Sequence, residues 1–220
     1  MNPPLSRLTE RSELSRELKI VLASSSPRRI GLMRQIGIEF TAVDPGGDES
    51  SVHPDPRVRV MENALAKASR VAEVHRDAVV IGADTVVHIG GVILGKPCSE
   101  GDAAEMLGRL SGNVHKVFTG VCVIHPTRGV VSDCEESLVH IRRLSEGEIR
   151  RYVQSGEPMD KAGSYAIQGL GAIFVDRVVG CFHNVIGLPL ALLSRMLLGV
   201  GVDLLDLGLR DARADLNRDI

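Results

Sequence analysis

The stretch "IVLASSSPRRIGLMRQIG", Ile20 to Gly37, sets a short apolar run, a polar turn and a helical pattern in immediate succession. Ile20–Ala23 has the length and composition of a buried strand. Pro27 suits the first turn of a helix, where its missing N–H is no loss. Ser26 before it offers a cap, and Gly37 closes the segment just past Gln35. The unit is therefore strand, tight loop, helix.

The same alternation runs down the chain. Ile38–Val43 reads as a second strand and the Gly/Asp/Ser/Pro-rich Asp44–Pro54 as a loop. Asp55-Pro56 opens a long helix with Val60, Met61, Ala64, Leu65, Ala68, Val71 and Ala72 on one stripe and Lys67 at its edge. Ala78–Ala83 is a continuous apolar strand. Val86–Ile89 and Val92–Leu94 form a hairpin turned at Gly90-Gly91. Ser99 with Asp102, and Ser145 with Glu148, announce two further helices by capping boxes. His115–Ile124 and Val130–Ile141 are rich in β-formers and pair antiparallel, and the chain from Asn184 onward is mostly helical. Helices interleaved with such strands indicate an α/β protein, a mixed and twisted central sheet flanked by helices, not a bundle or a sandwich.

With 220 residues, 44% of them hydrophobic and 25% charged, the chain can bury a core without disulfides or metals. A net charge of −2 gives no global attraction for nucleic acid or an anionic membrane, so any anion site is local. The four cysteines, 98, 122, 134 and 181, form no C-x-x-C pair, and no histidine cluster has zinc spacing. Residues 1–19 are polar and read as a flexible extension, not a signal peptide. Val185–Val202 is broken by Pro189, Ser194 and Arg195, which favours a buried helix over a membrane span. A cytoplasmic location is expected, and no linker divides residues 20–220.

Five segments carry potential chemistry. "LASSSPRR", Leu22–Arg29, brings a strand into a helix N-terminus, whose free N–H groups and dipole suit an anion. Arg28 and Arg29 add bidentate oxygen recognition. The plainer reading is a capped turn with two solvated arginines. In "IGADTVV", Ile81–Val87, Asp84 and Thr85 interrupt an apolar strand. A carboxylate buried there costs several kcal/mol unless it is paired or cation-bound, although a turn between two strands would also explain it. "GGVILGKP" falls short of a phosphate-binding P-loop, because Pro97 replaces the metal-binding hydroxyl and strands surround it. Lys96 is left as a lone candidate cation. Asp48-Glu49 could offer hard oxygens to a divalent ion, or could simply be solvated. In "DKAGSYAIQGLGAIFVDRVVG", Asp160–Gly180, Gly163, Gly169 and Gly171 suggest close approach of backbone to something flat or to another strand around Gln168, whose amide can match a pyrimidine edge. A glycine-rich entry to a strand is the alternative. His115 reads as a packed or surface histidine more readily than as a catalyst.

Taken in order, "LASSSPRR", Asp48-Glu49, "NALAKA", "IGADTVV", "LGKP", "SGNVHKVFTGV", "SGEPMDKAGSYAIQGLGA" and "NVIGLPL" resemble the Maf family of nucleoside triphosphate pyrophosphatases across residues 20 to about 200. The resemblance implies a single α/β domain over residues 20–220 with two lobes around a deep substrate cleft, as in Maf and ITPase-like folds, and a homodimer. It implies hydrolysis between the α- and β-phosphates with Mg²⁺ or Mn²⁺. Asp84 would be the general base; Arg28, Arg29, Lys67 and Lys96, with Ser24, would bind phosphate; Glu49 with Asp84 would hold the metal. "DKAGSYAIQG" is similar to the subgroup acting on dTTP and UTP, in which the positions of Arg28, Thr85 and Gln168 are linked to base choice. Ala166 stands where that pattern usually has Gly. A non-catalytic nucleotide-binding regulator of septum formation, or a pyrophosphatase preferring 7-methyl-GTP, are the competing expectations.

Overall fold

The computed structural model describes residues 19–47 and 51–209. Strand β1 (Lys19–Ala23) leads into helix α1 (Pro27–Gln35), strand β2 (Thr41–Val43) and helix α2 (Pro56–Ala72). Strand β3 (Ala78–Ile89) turns back as β4 (Val92–Leu94) and is followed by α3 (Glu100–Leu110). The long hairpin β5 (Val114–His125) and β6 (Gly129–Ile141) comes next, then α4 (Glu146–Gln154). Three short 3₁₀ segments precede β7 (Val175–Val179), α5 (Phe182–Ile186) and α6 (Leu190–Gly199). The seven strands form one sheet in the order β2-β1-β3-β5-β6-β7, with β4 paired to β3. β1 runs parallel to β2 and β3; the other pairs are antiparallel.

Alternation along β3 sorts its side chains onto two faces. Ile81 and Ala83 enter a core with Leu32, Leu193 and Leu197 from α1 and α6, and Val87 enters a second core with Leu107 and Leu110 of α3 and Val153 of α4. Thr85 lies between the two on that same face. On the opposite face Val80 packs with Ala64, Ala68 and Val71 of α2.

Helix α2 lies unusually close to the sheet. A Cβ on Gly82 would stand 2.3 Å from the Ala64 carbonyl oxygen, and one on Gly120 would stand 2.4 Å from that of Val60. Neither glycine has positive φ, so both are required by space. Gly120 pairs directly with Asp84, and Gly82 lies on the same face two residues before it. The two glycines form a smooth track on which the helix backbone rests above that carboxylate.

Several sequence-based boundaries change. The break expected at Asp84-Thr85 does not occur: both remain in register within one twelve-residue strand, because their polar groups are paired locally. The second strand shortens from Ile38–Val43 to Thr41–Val43. Ser26 holds the N-cap position of α1 without a side-chain capping bond; its own N–H donates to Ser24 Oγ at 3.2 Å. Ser99 and Ser145 do cap their helices, the latter with the full reciprocal box to Glu148. The Val185–Val202 segment divides at Gly187–Pro189 into α5 and α6. Among the described residues no helix is long and apolar enough to cross a membrane.

Gly82→Ala should force α2 off the sheet and lower stability by about 1–3 kcal/mol, the usual cost of overpacking. Gly95→Ala meets nothing within 4 Å and should be near neutral. Chemical denaturation of the two variants checks the contrast.

Candidate active site

Ala23 of β1 pairs with Gly82, and Leu94 of β4 pairs with Val87. Between these points, from Ala83 to Val86, β3 has no strand beside it on that side among the described residues. The gap opens into a cleft of about 540 Å³. Its walls come from the Ser24–Ser26 loop and the first turn of α1 through Arg29, the Asp44–Gly47 loop, Gly95-Lys96, the Asp160–Ala162 turn, the Tyr165–Gln168 segment and Gly187. Side chains from both faces of β3 reach this opening, because a strand without a neighbour hides neither face.

Asp84 is 2% exposed. Lys67 Nζ lies 2.7 Å from its Oδ1, and Asn63 Nδ2 donates to its Oδ2 at 3.0 Å. Asn63 and Lys67 are four residues apart on α2 and therefore project from one helical stripe; the glycine track lets both reach down. The carboxylate is thus oriented by a cation on one oxygen and an amide on the other. It retains lone pairs for a further donor or a metal ion, since each carboxylate oxygen accepts more than one bond.

Arg29 is fixed from two sides. Its Nε donates to the Gly187 carbonyl at 2.7 Å and its Nη2 to Thr85 Oγ1 at 3.0 Å. Thr85 Oγ1 lies 2.9 Å from Thr119 Oγ1, which donates to the Asn184 carbonyl at 3.0 Å. Arg28 Nη1 reaches Asp160 Oδ2 at 3.1 Å across the cleft mouth. Lys96 and Gln168 are exposed at the rim, and Ser24 is buried against the α1 N-terminus with its hydroxyl turned to the loop backbone.

Of the residues singled out from sequence, Ser24, Arg28, Arg29, Lys67, Asp84, Thr85, Lys96 and Gln168 all line this one cleft. Glu49 falls outside the described residues. Asn63, Thr119, Asp160 and Lys161 were not anticipated; Asn63 carries a signal, being a buried polar residue in the apolar stripe of α2. Among the described residues no group of three or more His, Cys, Asp or Glu side chains could hold a metal ion alone. His115 does not line the cleft; it is buried behind its wall, with Nε2 2.7 Å from the Oη of the lining residue Tyr165. Burial first, and then the charge of His140, lower its pKa to about 4, so it is a neutral packing histidine at pH 7.

Residues 19–200 match the family model of the Maf-like proteins. The chain belongs to the Maf family. A curated Maf relative, the dTTP/UTP pyrophosphatase of Caldicellulosiruptor saccharolyticus, is 49% identical over 194 residues, covering 85% of this chain and 97% of that protein. The dTTP/UTP pyrophosphatase of Dictyoglomus turgidum is 48% identical over 190 residues, covering 85% and 98%. The Staphylococcus aureus Ham1 protein overlaps 92% of this Maf chain and all of its own, at 15% identity and a TM-score of 0.44.

Two outcomes are expected. Lys67→Met leaves the Asp84 carboxylate buried without its cation and should cost about 3–5 kcal/mol, part of it recovered in the Lys67→Met, Asp84→Asn double variant; equilibrium unfolding measures both. His115 binds a proton more readily unfolded than folded, so stability falls as pH drops from 6.5 toward 4. His115→Gln should remove that component, read as a flatter melting temperature against pH.

Proposed function

We propose that the chain is a nucleoside triphosphate pyrophosphatase acting on dTTP and UTP, releasing the monophosphate and pyrophosphate. The observation that carries this reading is the convergence of Asp84 with Arg28, Arg29, Lys67 and Lys96 on one cleft. The names of relatives at 45–49% identity across nearly their whole length supply the reaction.

Hydrolysis of a phosphoanhydride asks for charge neutralisation and an oriented water more than for covalent chemistry. Arg29, held by Thr85 and Gly187, is the preorganised phosphate ligand. Arg28 exchanges Asp160 for a phosphate oxygen, and Lys96 closes over the chain from the rim. Ser24 and the α1 N-terminus add donors and a favourable dipole. Asp84 accepts the proton of the attacking water. The new P–O bond forms at one phosphorus of the α–β bridge as the bridging P–O bond breaks, and the departing phosphate carries off the bonding pair.

A divalent cation, Mg²⁺ or Mn²⁺, fits the donor set, because such ions commonly bind through one or two carboxylates plus substrate phosphates. Asp84, with its spare lone pairs, and Glu49 would hold it. When bound it neutralises phosphate charge and polarises the phosphoryl oxygens. Gln168, exposed at the rim, offers one donor and one acceptor to the edge of a pyrimidine, and Arg28 and Thr85 complete the base-selecting set. The protein acts as a cytoplasmic homodimer with no nucleic-acid or membrane partner, removing surplus or modified pyrimidine triphosphates.

Pyrophosphate release from dTTP, UTP, CTP, GTP and 7-methyl-GTP with Mg²⁺ tests the proposal. Wild type should favour dTTP and UTP. Asp84→Asn should lose about 10²–10⁴-fold in kcat, the usual contribution of a general base, and Gln168→Glu should lose pyrimidine discrimination. Binding without turnover on every substrate would overturn the enzymatic reading.

A further inference from the structure

Gln168 stands at the apex of a loop whose two flanks are held by a single side-chain pair. On the near flank, the Ala166 N–H donates to Tyr152 Oη at 3.3 Å. On the far flank, the Leu170 and Gly171 N–H groups donate to Glu157 Oε2 and Oε1, each at 3.0 Å. Tyr152 and Glu157 are joined to one another, the phenol donating to Oε1 at 2.9 Å. Each element of this clamp comes from outside the loop: Tyr152 from α4, Glu157 from the 3₁₀ turn Glu157–Asp160 that follows it.

The loop is folded tightly enough to need the clamp. A Cβ on Gly171 would stand 2.5 Å from Tyr152 Oη and 2.6 Å from the Ala166 carbonyl oxygen, and one on Gly169 would stand 2.7 Å from Glu157 Oε2. Gly169 also takes φ +74°, a conformation that glycine adopts without strain. Polar backbone closed this tightly must find partners, and here the loop uses side chains instead of a strand. Burial works against the charged form of Glu157, yet the N–H groups of Gly171 and Leu170, the phenol and Lys161 together hold its carboxyl below its usual pKa. It is therefore ionised at neutral pH, and a carboxylate accepting several bonds is the strongest anchor available to a backbone turn. Neither Tyr152 nor Glu157 lines the cleft, so neither meets a bound nucleotide.

We infer that Glu157, together with Tyr152, is a positioning residue for base selection: the Tyr152–Glu157 pair fixes the Ala166–Gly171 loop and thereby aims the Gln168 amide into the cleft. The inference rests on the role of Gln168 proposed above. An amide discriminates between base edges only if its donor and acceptor are held in place, because a mobile amide can match either pattern. Glu157→Gln preserves size but puts an NH₂ donor where an oxygen now accepts, so at least one of the three bonds is lost. Phosphate binding and Asp84 are untouched.

The test is steady-state pyrophosphate release from dTTP and GTP by the full-length protein with Mg²⁺, for wild type, Glu157→Gln, Tyr152→Phe, Gln168→Ala and the Glu157→Gln, Gln168→Ala pair. In Glu157→Gln the ratio of kcat/KM for dTTP over GTP should fall about tenfold, the value of one well-placed hydrogen bond, through KM for dTTP with kcat nearly kept. Tyr152→Phe, the milder change, should move the ratio the same way by less. In the Gln168→Ala background, Glu157→Gln should change the ratio no further. A wild-type protein without selectivity would sink the reading of Gln168 itself. A selective wild type whose ratio survives Glu157→Gln and Tyr152→Phe, or a pair whose losses simply add, would overturn the positioning role. Equal losses of kcat/KM on dTTP and GTP would also overturn it, marking a general structural defect.

Discussion

The ion pair of Lys67 with Asp84 depends on a distance that only two glycines permit. Were Gly82 and Gly120 any larger, α2 would ride higher on the sheet and neither Lys67 nor Asn63 would reach the carboxylate. Asp84 would then be a buried charge without a partner, which no strand of this length could carry cheaply. The approach of one helix to one strand pair thus decides whether the centre of the cleft can exist. Packing and chemistry are one constraint here, because the same helical face that buries Ala64 and Ala68 also delivers the cation.

Much of this was legible from residue patterns. Pro27, Pro56, Ser99 and Ser145 mark helix starts by local chemistry alone, and the Gly90-Gly91 turn marks its hairpin; such signals act over a few residues and survive in the linear sequence. Asp84 and Thr85 were legible as anomalies but not in their setting. An apolar strand with two polar residues reads as interrupted, because the sequence does not reveal that Lys67, Asn63, Arg29 and Thr119 arrive from distant segments to pair them. Gly82 and Gly120 gave no signal for the same reason: their lack of a side chain matters only through a helix encoded elsewhere. The Asp160 partner of Arg28, separated from it by more than half of the chain, is a product of topology.

The region around Gln168 shows the reverse case. Its glycines suggested close backbone approach, either to a flat ligand or to another strand, and a strand entry was the alternative. In the fold Gly169 and Gly171 accommodate the carboxylate of Glu157 and the phenol of Tyr152, while Gly163 lies against the Val87 side chain of β3, and two 3₁₀ segments bracket the glutamine. The composition spoke correctly of crowding and left open what does the crowding. The loop before α2 remains the counterpart: Gly46-Gly47 line the cleft with positive φ, and Asp48 and Glu49 lie beyond the described residues.

The interruption beside β3 has a further meaning. Open strand edges are ordinarily a hazard, inviting a second chain to complete the sheet, and proteins guard them with charge or a covering segment. From Ala83 to Val86 the guard consists of Arg28 and Arg29 from the start of α1, Lys67 from within α2 and Lys96 from the loop after β4, with the Asp84 carboxylate set among them. These groups repel a neighbouring apolar strand and attract small anions. The side chains that guard this edge against self-association thus also suit a small anion, and an anion seated there would stabilise the native state by mass action. Resistance to aggregation and supply of ligand become linked quantities in this architecture.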